Sequence, residues 1–203
     1  MVIIDPLQRF RGLLHEQSGT VALLRRQTFM LIRELRKENS SQIELAEKLD
    51  SALARHHLVL RSLFLNVEMP HLEGGSLTSS VSNFFSRLDA DRRSLKTIID
   101  DKIDQFPEIS DIFFTISKEG ITNAVLHGDA QNISIEVTYQ EDKFSLTVKD
   151  DGRGFNVEQV LQWASGGISY IKDLTDPLSG TLDVESKKDI GTVLKVTIPS
   201  HGK

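Results

Sequence analysis

At 203 residues and 39% hydrophobic content, the chain has apolar mass for one large core or two small ones. A net charge of −5 and a pI near 5.7 argue against direct nucleic-acid binding, because phosphate neutralisation needs clustered Lys and Arg; the absence of cysteine removes disulfides, thiolate nucleophiles and Cys-ligated metals. No apolar run approaches the roughly 20 residues that cross a bilayer, and Met1 to Ile4 is too short for a signal sequence, so the expectation is a cytoplasmic chain, free-standing or the intracellular portion of something membrane-anchored.

From Leu7 onward, Leu7, Phe10, Leu14, Gln17, Val21, Leu24, Thr28, Leu31 and Leu35 step by alternate threes and fours. That is the seam of a long helix packed in a bundle. Glu38 to Ser41 breaks it, and Leu45, Leu49, Ala52, His56, Val59 and Leu63 repeat the stepping in a second helix, which Pro70 and Gly74-Gly75 end. One such hairpin buries its seam only partly, so a second copy is the natural partner and a homodimeric four-helix bundle the expected product. Beyond it the sequence predicts a short helix over 77–87, a strand over 95–103 and a helix over 107–127. A hairpin follows, with Ile133, Ile135, Val137 and Tyr139 on one arm and Phe144, Leu146 and Val148 on the other. A glycine turn, a segment rich in Gly and Ser, and strands over 182–186 and 193–198 complete the chain. The predicted fold class is α+β: a helical hairpin over 1–69, a hinge over 70–80 and a two-layer α/β sandwich over 81–203.

Two segments carry the chemistry. Glu119, Asn123 and His127 recur every four residues, so on a helix they form one polar stripe. About two dozen residues later Asp150-Asp151-Gly152-Arg153-Gly154-Phe155 ends a strand and turns through two glycines, which let a backbone approach a bound group closely. In this order, joined by the hairpin, they read as a nucleotide site. A second candidate is His15, beside the seam residue Leu14, where an imidazole is reachable while its backbone is held stiffly. Such a histidine makes a good phosphoryl acceptor, and the adjacent Glu16 is placed to hydrogen-bond its Nδ1–H and leave Nε2 as nucleophile.

Lys118-Glu119-Gly120-Ile121-Thr122-Asn123, His127-Gly128-Asp129-Ala130 and Asp150-x-Gly152-x-Gly154 together resemble the GHKL ATPase superfamily, and most closely the DesK- and NarX-like sensor histidine kinases. The resemblance is strongest from about 110 to 198. It implies a Bergerat-type domain that uses ATP and Mg²⁺, with Asn123 holding the metal against the phosphates and Glu119 as polarising or general-base group. Asp150 would accept the adenine amino hydrogen with Thr192 in support, Gly152 and Gly154 would give the turn its close approach, Gly167 would belong to the lid, and His127 would lie near the phosphates. It further implies autophosphorylation of His15 and transfer to an aspartate on a response regulator receiver domain. The sequence departs from the family pattern in three places: Ser165 to Ile171 keeps only Gly167 of a glycine-rich lid box and puts Tyr170 at a glycine position, Thr20 stands where the subfamily commonly has Gln, and Glu16 where Asp is commoner. A phosphotransferase or pseudokinase with a degenerate ATP site, and an anti-sigma-type serine kinase, are the alternatives. The residues His56, His57, His71 and His201, Trp163, and the runs Arg25-Arg26 and Asp91-Arg92-Arg93, read as structural or solvated.

Overall fold

The computed structural model describes residues 6–38, 40–72, 75–89, 92–157 and 167–200, and the chain divides into two compact units, Met1–Glu68 and Met69–Lys203. The first is a helical hairpin of α1 (Pro6–Lys37) and α2 (Ile43–Glu68). Proline at the start of α1 costs no hydrogen bond, because the first amides of a helix have no internal partner. The Ser40 hydroxyl accepts from the Gln42 amide in the connection.

The hairpin is fastened at both ends. Arg11 donates to the Val67 carbonyl at 2.9 Å and Arg36 pairs with Glu47 at 2.7 Å; the second pair is exposed and adds little. On α1 the buried residues are Leu14, Val21, Thr28 and Ile32, and the Thr28 hydroxyl is satisfied by the Leu24 carbonyl. On α2 they are Ala46, Ser62 and Leu65. Leu14, Val21 and Thr28 of the predicted α1 seam are thus buried, whereas the predicted α2 seam is corrected. Leu45, Leu49, Val59 and Leu63 lie on the outward face of α2, as Phe10, Leu24 and Leu31 do on α1, all of them exposed. The face α2 applies to α1 is offset by one residue from the apolar stripe, and stepping by threes and fours cannot distinguish two adjacent stripes of one helix.

The second unit is a five-stranded sheet covered on one face by helices. Its elements run α3 (Leu77–Asp89), β1 (Ser94–Ile99), a 3₁₀ turn (Asp101–Gln105), α4 (Pro107–Asn123), a π turn (Ala124–Gly128), β2 (Asn132–Gln140), β3 (Lys143–Asp150), α5 (Gly167–Thr175), a 3₁₀ turn (Asp176–Leu178), β4 (Thr181–Lys187) and β5 (Gly191–Pro199). Strand order is β1-β2-β3-β5-β4, parallel between β1 and β2 and antiparallel elsewhere. The strand predicted over 95–103 stops at Ile99 because the Asp100 carboxylate accepts from the Lys102 amide and starts the 3₁₀ turn, which carries Ile103 into the core.

Alternation along β2 and β3 puts Ile133, Ile135, Val137, Phe144, Leu146 and Val148 on the inner face, where they meet Phe84 of α3 and Phe113, Ile116 and Ile121 of α4. Each such side chain contributes about 1.5–3 kcal/mol by leaving water. Gly120 sets how closely α4 approaches the sheet: a Cβ there would stand 2.8 Å from Val148 Cγ1. The sequence GITN therefore brings α4 down onto β3 beside Asp150.

Candidate nucleotide site

Helix α4 presents three faces with different tasks. Phe113, Ile116 and Gly120 pack on the sheet. On a second face Asn123 Nδ2 donates to Glu119 Oε1 at 3.0 Å, the two side chains one helical turn apart and both half-buried. That bond leaves Asn123 Oδ1 as a neutral oxygen acceptor. Gly167, the first residue of α5, lies against the pair, and a Cβ on it would run into the Glu119 carboxylate. The predicted lid glycine is thus brought to Glu119 and Asn123, while Trp163, Ser165 and Gly166 lie outside the described residues. Tyr170 projects from α5 at 48% exposure.

The third face of α4 was not foreseen. Lys118, 5% exposed, donates to the carbonyls of Met69 at 2.7 Å and Pro70 at 3.2 Å, and stands 4.8 Å over the Phe114 ring. Burial pulls its pKa below the usual lysine value, against the attraction of Asp111. Asp111, two turns earlier on the same side, accepts from the Leu72 amide and pairs with His71, each at 2.9 Å. Of the segment 70–80 expected to act as hinge, residues 77–80 are the first turn of α3 and 70–72 are fastened to α4. His71, read as structural or solvated, is an exposed side chain held by Asp111.

The turn after β3 is held by converging hydrogen bonds. Asp150 accepts from the Gly152 amide at 2.8 Å and from Thr192, its cross-strand neighbour on β5. Burial raises its pKa, and these bonds partly offset the shift. Thr192 Oγ1 lies 3.1 Å from the Ser186 hydroxyl, which also accepts from the Phe155 amide. Gly154 has φ +57, and a Cβ would run into the Lys187 carbonyl; at Gly152 it would meet the Gly128 carbonyl at 2.7 Å. Both glycines are thus required by this turn itself. Asp151 accepts from the Asn132 amide, Asn132 Nδ2 and the Gln131 amide at 2.7–2.8 Å, and these bonds, Asn132's first, hold its carboxyl below the usual range.

His127, the third member of the predicted polar stripe, lies beyond the α-helix. The α-helix ends at Asn123 and the chain widens into the π turn, where His127 is exposed while Glu119 and Asn123 are half-buried. In the first unit His15 is exposed, with its ring centroid 6.3 Å from that of Phe64. Glu16 makes no hydrogen bond to it among the described residues; the Glu16 carbonyl accepts from Thr20 Oγ1 at 3.0 Å. The run containing Arg92 and Arg93, read as a solvated face, is corrected at Arg93. Its side chain is 7% exposed, pairs with Asp89 and Asp129 and donates to the Ala130 carbonyl. No local pattern announces this, because two of its three partners are 36 and 37 residues away.

Among the described residues no group of three or more His, Asp or Glu is arranged to cage a metal ion. A divalent cation such as Mg²⁺ still fits here, since it retains waters and phosphate oxygens and needs few protein ligands; Asn123 Oδ1 supplies one beside the Glu119 carboxylate.

Residues 109–202 match the family described as histidine kinase-, DNA gyrase B-, and HSP90-like ATPase. The chain is 26% identical over 201 residues to Sensor protein VraS of Staphylococcus haemolyticus, covering 98% of this chain and 56% of that protein. It is 28% identical over 95 residues to the signal transduction histidine-protein kinase/phosphatase DegS of Bacillus subtilis, covering 46% of this chain and 25% of that protein. The histidine kinase domain of the Erythrobacter litoralis EL346 blue-light activated histidine kinase aligns over 93% of this chain and 94% of its own, with a TM-score of 0.49 and 17% identity. The chain spans about half the length of the VraS proteins it matches.

Proposed function

From a catalytic core of the sensor histidine kinase kind, with a GHKL ATPase domain behind a helical hairpin, we propose an ATP-dependent protein-histidine kinase of a two-component system that phosphorylates its own His15. The observation that carries this reading is the convergence of Glu119, Asn123 and Gly167 in the same unit as an Asp150 turn whose two glycines admit no side chain.

In this reading the Asp150 carboxylate accepts the adenine amino hydrogen, with Thr192 supporting it, and the glycine turn lets the backbone close on the nucleotide. Asn123 Oδ1 would ligate Mg²⁺, which supplies charge compensation along the phosphates. Glu119, hydrogen-bonded to Asn123, orients that amide and is placed to polarise the reacting group. His127, which the resemblance puts near the phosphates, stands on the exposed π turn that follows Asn123. The His15 nitrogen attacks the γ-phosphorus, the bond to the β–γ bridging oxygen breaks and ADP leaves, so the protein contributes mainly positioning and electrostatics. Glu16 would orient the imidazole only after a rotamer change. Because Met69, Pro70 and Leu72 are bound to α4, the hinge is proposed at the boundary of the two units, beside Glu68 and Met69.

The phosphoryl group would pass to an aspartate of a receiver domain. The outward apolar stripes of α1 and α2 are the proposed homodimer interface, giving a four-helix bundle. Incubation with Mg²⁺ and γ-labelled ATP tests the reaction class: acid-labile, alkali-stable label is the expected result. Acid-stable label would indicate the serine-kinase alternative, and no label with no nucleotide binding the degenerate phosphotransferase.

A further inference from the structure

The turn carrying Asp150 is braced from outside its own strands. Beyond the π turn, Asp129 takes a left-handed conformation, φ 52, which Asp and Asn adopt more readily than other side chains. Its carboxylate receives Arg93 on one oxygen at 2.9 Å and Arg153 on the other at 3.2 Å. Arg93 is buried and planar, also bound to Asp89 and to the Ala130 carbonyl, so it fixes Asp129 in place. Arg153 stands between the two turn glycines, and its amide donates to the Gly128 carbonyl at 2.8 Å.

We propose that Asp129 is a positioning residue of the nucleotide site: by tying Arg153 to the buried Arg93 it sets where the Asp150–Gly154 turn stands against the end of α4. The inference rests on the nucleotide reading above. The pair is surface-exposed, 69% at Arg153 and 55% at Asp129, so its worth lies in geometry more than in stability.

Charge gives the test an unambiguous sign. Asp129→Asn preserves the left-handed preference and removes one negative charge near an anionic ligand, so long-range electrostatics alone would tighten binding. The brace requires the opposite. Calorimetric titration of the full chain with Mg²⁺ and ADP should show Asp129→Asn and Arg153→Ala each weakening binding about fivefold, with the double variant no weaker than the worse single one, since both remove the same bridge. Wild-type or tighter binding by Asp129→Asn, or multiplying effects in the double variant, would overturn the proposal. A second readout holds if Asp129→Asn does not fold or if the wild type binds no nucleotide, which would defeat the nucleotide reading instead. The amide of residue 153 should then exchange with solvent faster in Arg153→Ala than in the wild type, and unchanged exchange there would remove the brace.

Discussion

Gly154 shows how one residue can be required twice. Its backbone is left-handed and its missing side chain is the space occupied by the Lys187 carbonyl. Gly154→Ala is expected to cost about 1–3 kcal/mol of stability and to abolish nucleotide binding, checked by thermal unfolding alongside ADP titration. A variant that unfolds at the wild-type temperature and binds normally would refute the turn geometry. At this scale the sequence was legible wherever a short motif concentrates constraint: Glu119, Asn123, Asp150 and the two glycines can be picked out because their spacing and residue types say what the backbone does. Arg93 and Lys118 could not be. Their partners are remote in sequence, and a buried cation looks like any surface lysine or arginine until the acceptors are in place. The π turn that carries His127 could not be read either, since a change from α to π winding leaves no mark in the spacing of polar residues.

The element that organises the second unit is α4, whose sides meet the sheet, the proposed nucleotide site and the Met69–Leu72 segment. Lys118→Ala should destabilise this unit by about 1–3 kcal/mol, because it strands two carbonyls and removes packing; Lys118→Met, which keeps the packed stem, should cost less. Denaturant unfolding of the two variants separates these contributions. In the hairpin, the half-buried His57 is held below its ordinary pKa by burial, with Arg25 and Arg61 adding to the shift. A lowered folded pKa means that the unfolded chain binds the proton more readily. Hairpin stability should therefore be full above about pH 6.5 and decline as pH falls through that value toward the depressed folded one. His57→Gln should flatten this slope in melts taken across pH 5 to 8. Helix existence and order were readable from apolar period. The packed face of α2 was not, since adjacent stripes on one helix share the same period.

At the scale of the whole molecule, the outward apolar stripes of the hairpin are the ground for the proposed dimer. Leu24, Leu31, Leu49 and Leu63 are 42–50% exposed on helices whose other sides are already packed. Leu49→Glu with Leu63→Glu should convert a dimer to monomers in sedimentation velocity while leaving helicity unchanged; if the doubly charged variant still sediments as a dimer, the interface lies elsewhere. Both parts of the fold class were legible, the helical hairpin from its stepping by threes and fours and the α/β sandwich from the strands and helices after it. Residues 158–166 lie outside the described residues, so of the segment Ser165 to Ile171 only Gly167 to Ile171, the start of α5, is described.

In the proposed reaction one chain both binds ATP at Asn123 and accepts its γ-phosphate at His15. The most direct measurement is labelling with Mg²⁺ and γ-labelled ATP of the wild type, His15→Gln and Asn123→Ala side by side, with ADP binding measured on each. Acid-labile label is expected on the wild type and none on either variant, with nucleotide binding kept in His15→Gln and lost in Asn123→Ala. Label that persists in His15→Gln would contradict it, because the phosphorylated residue would then be another.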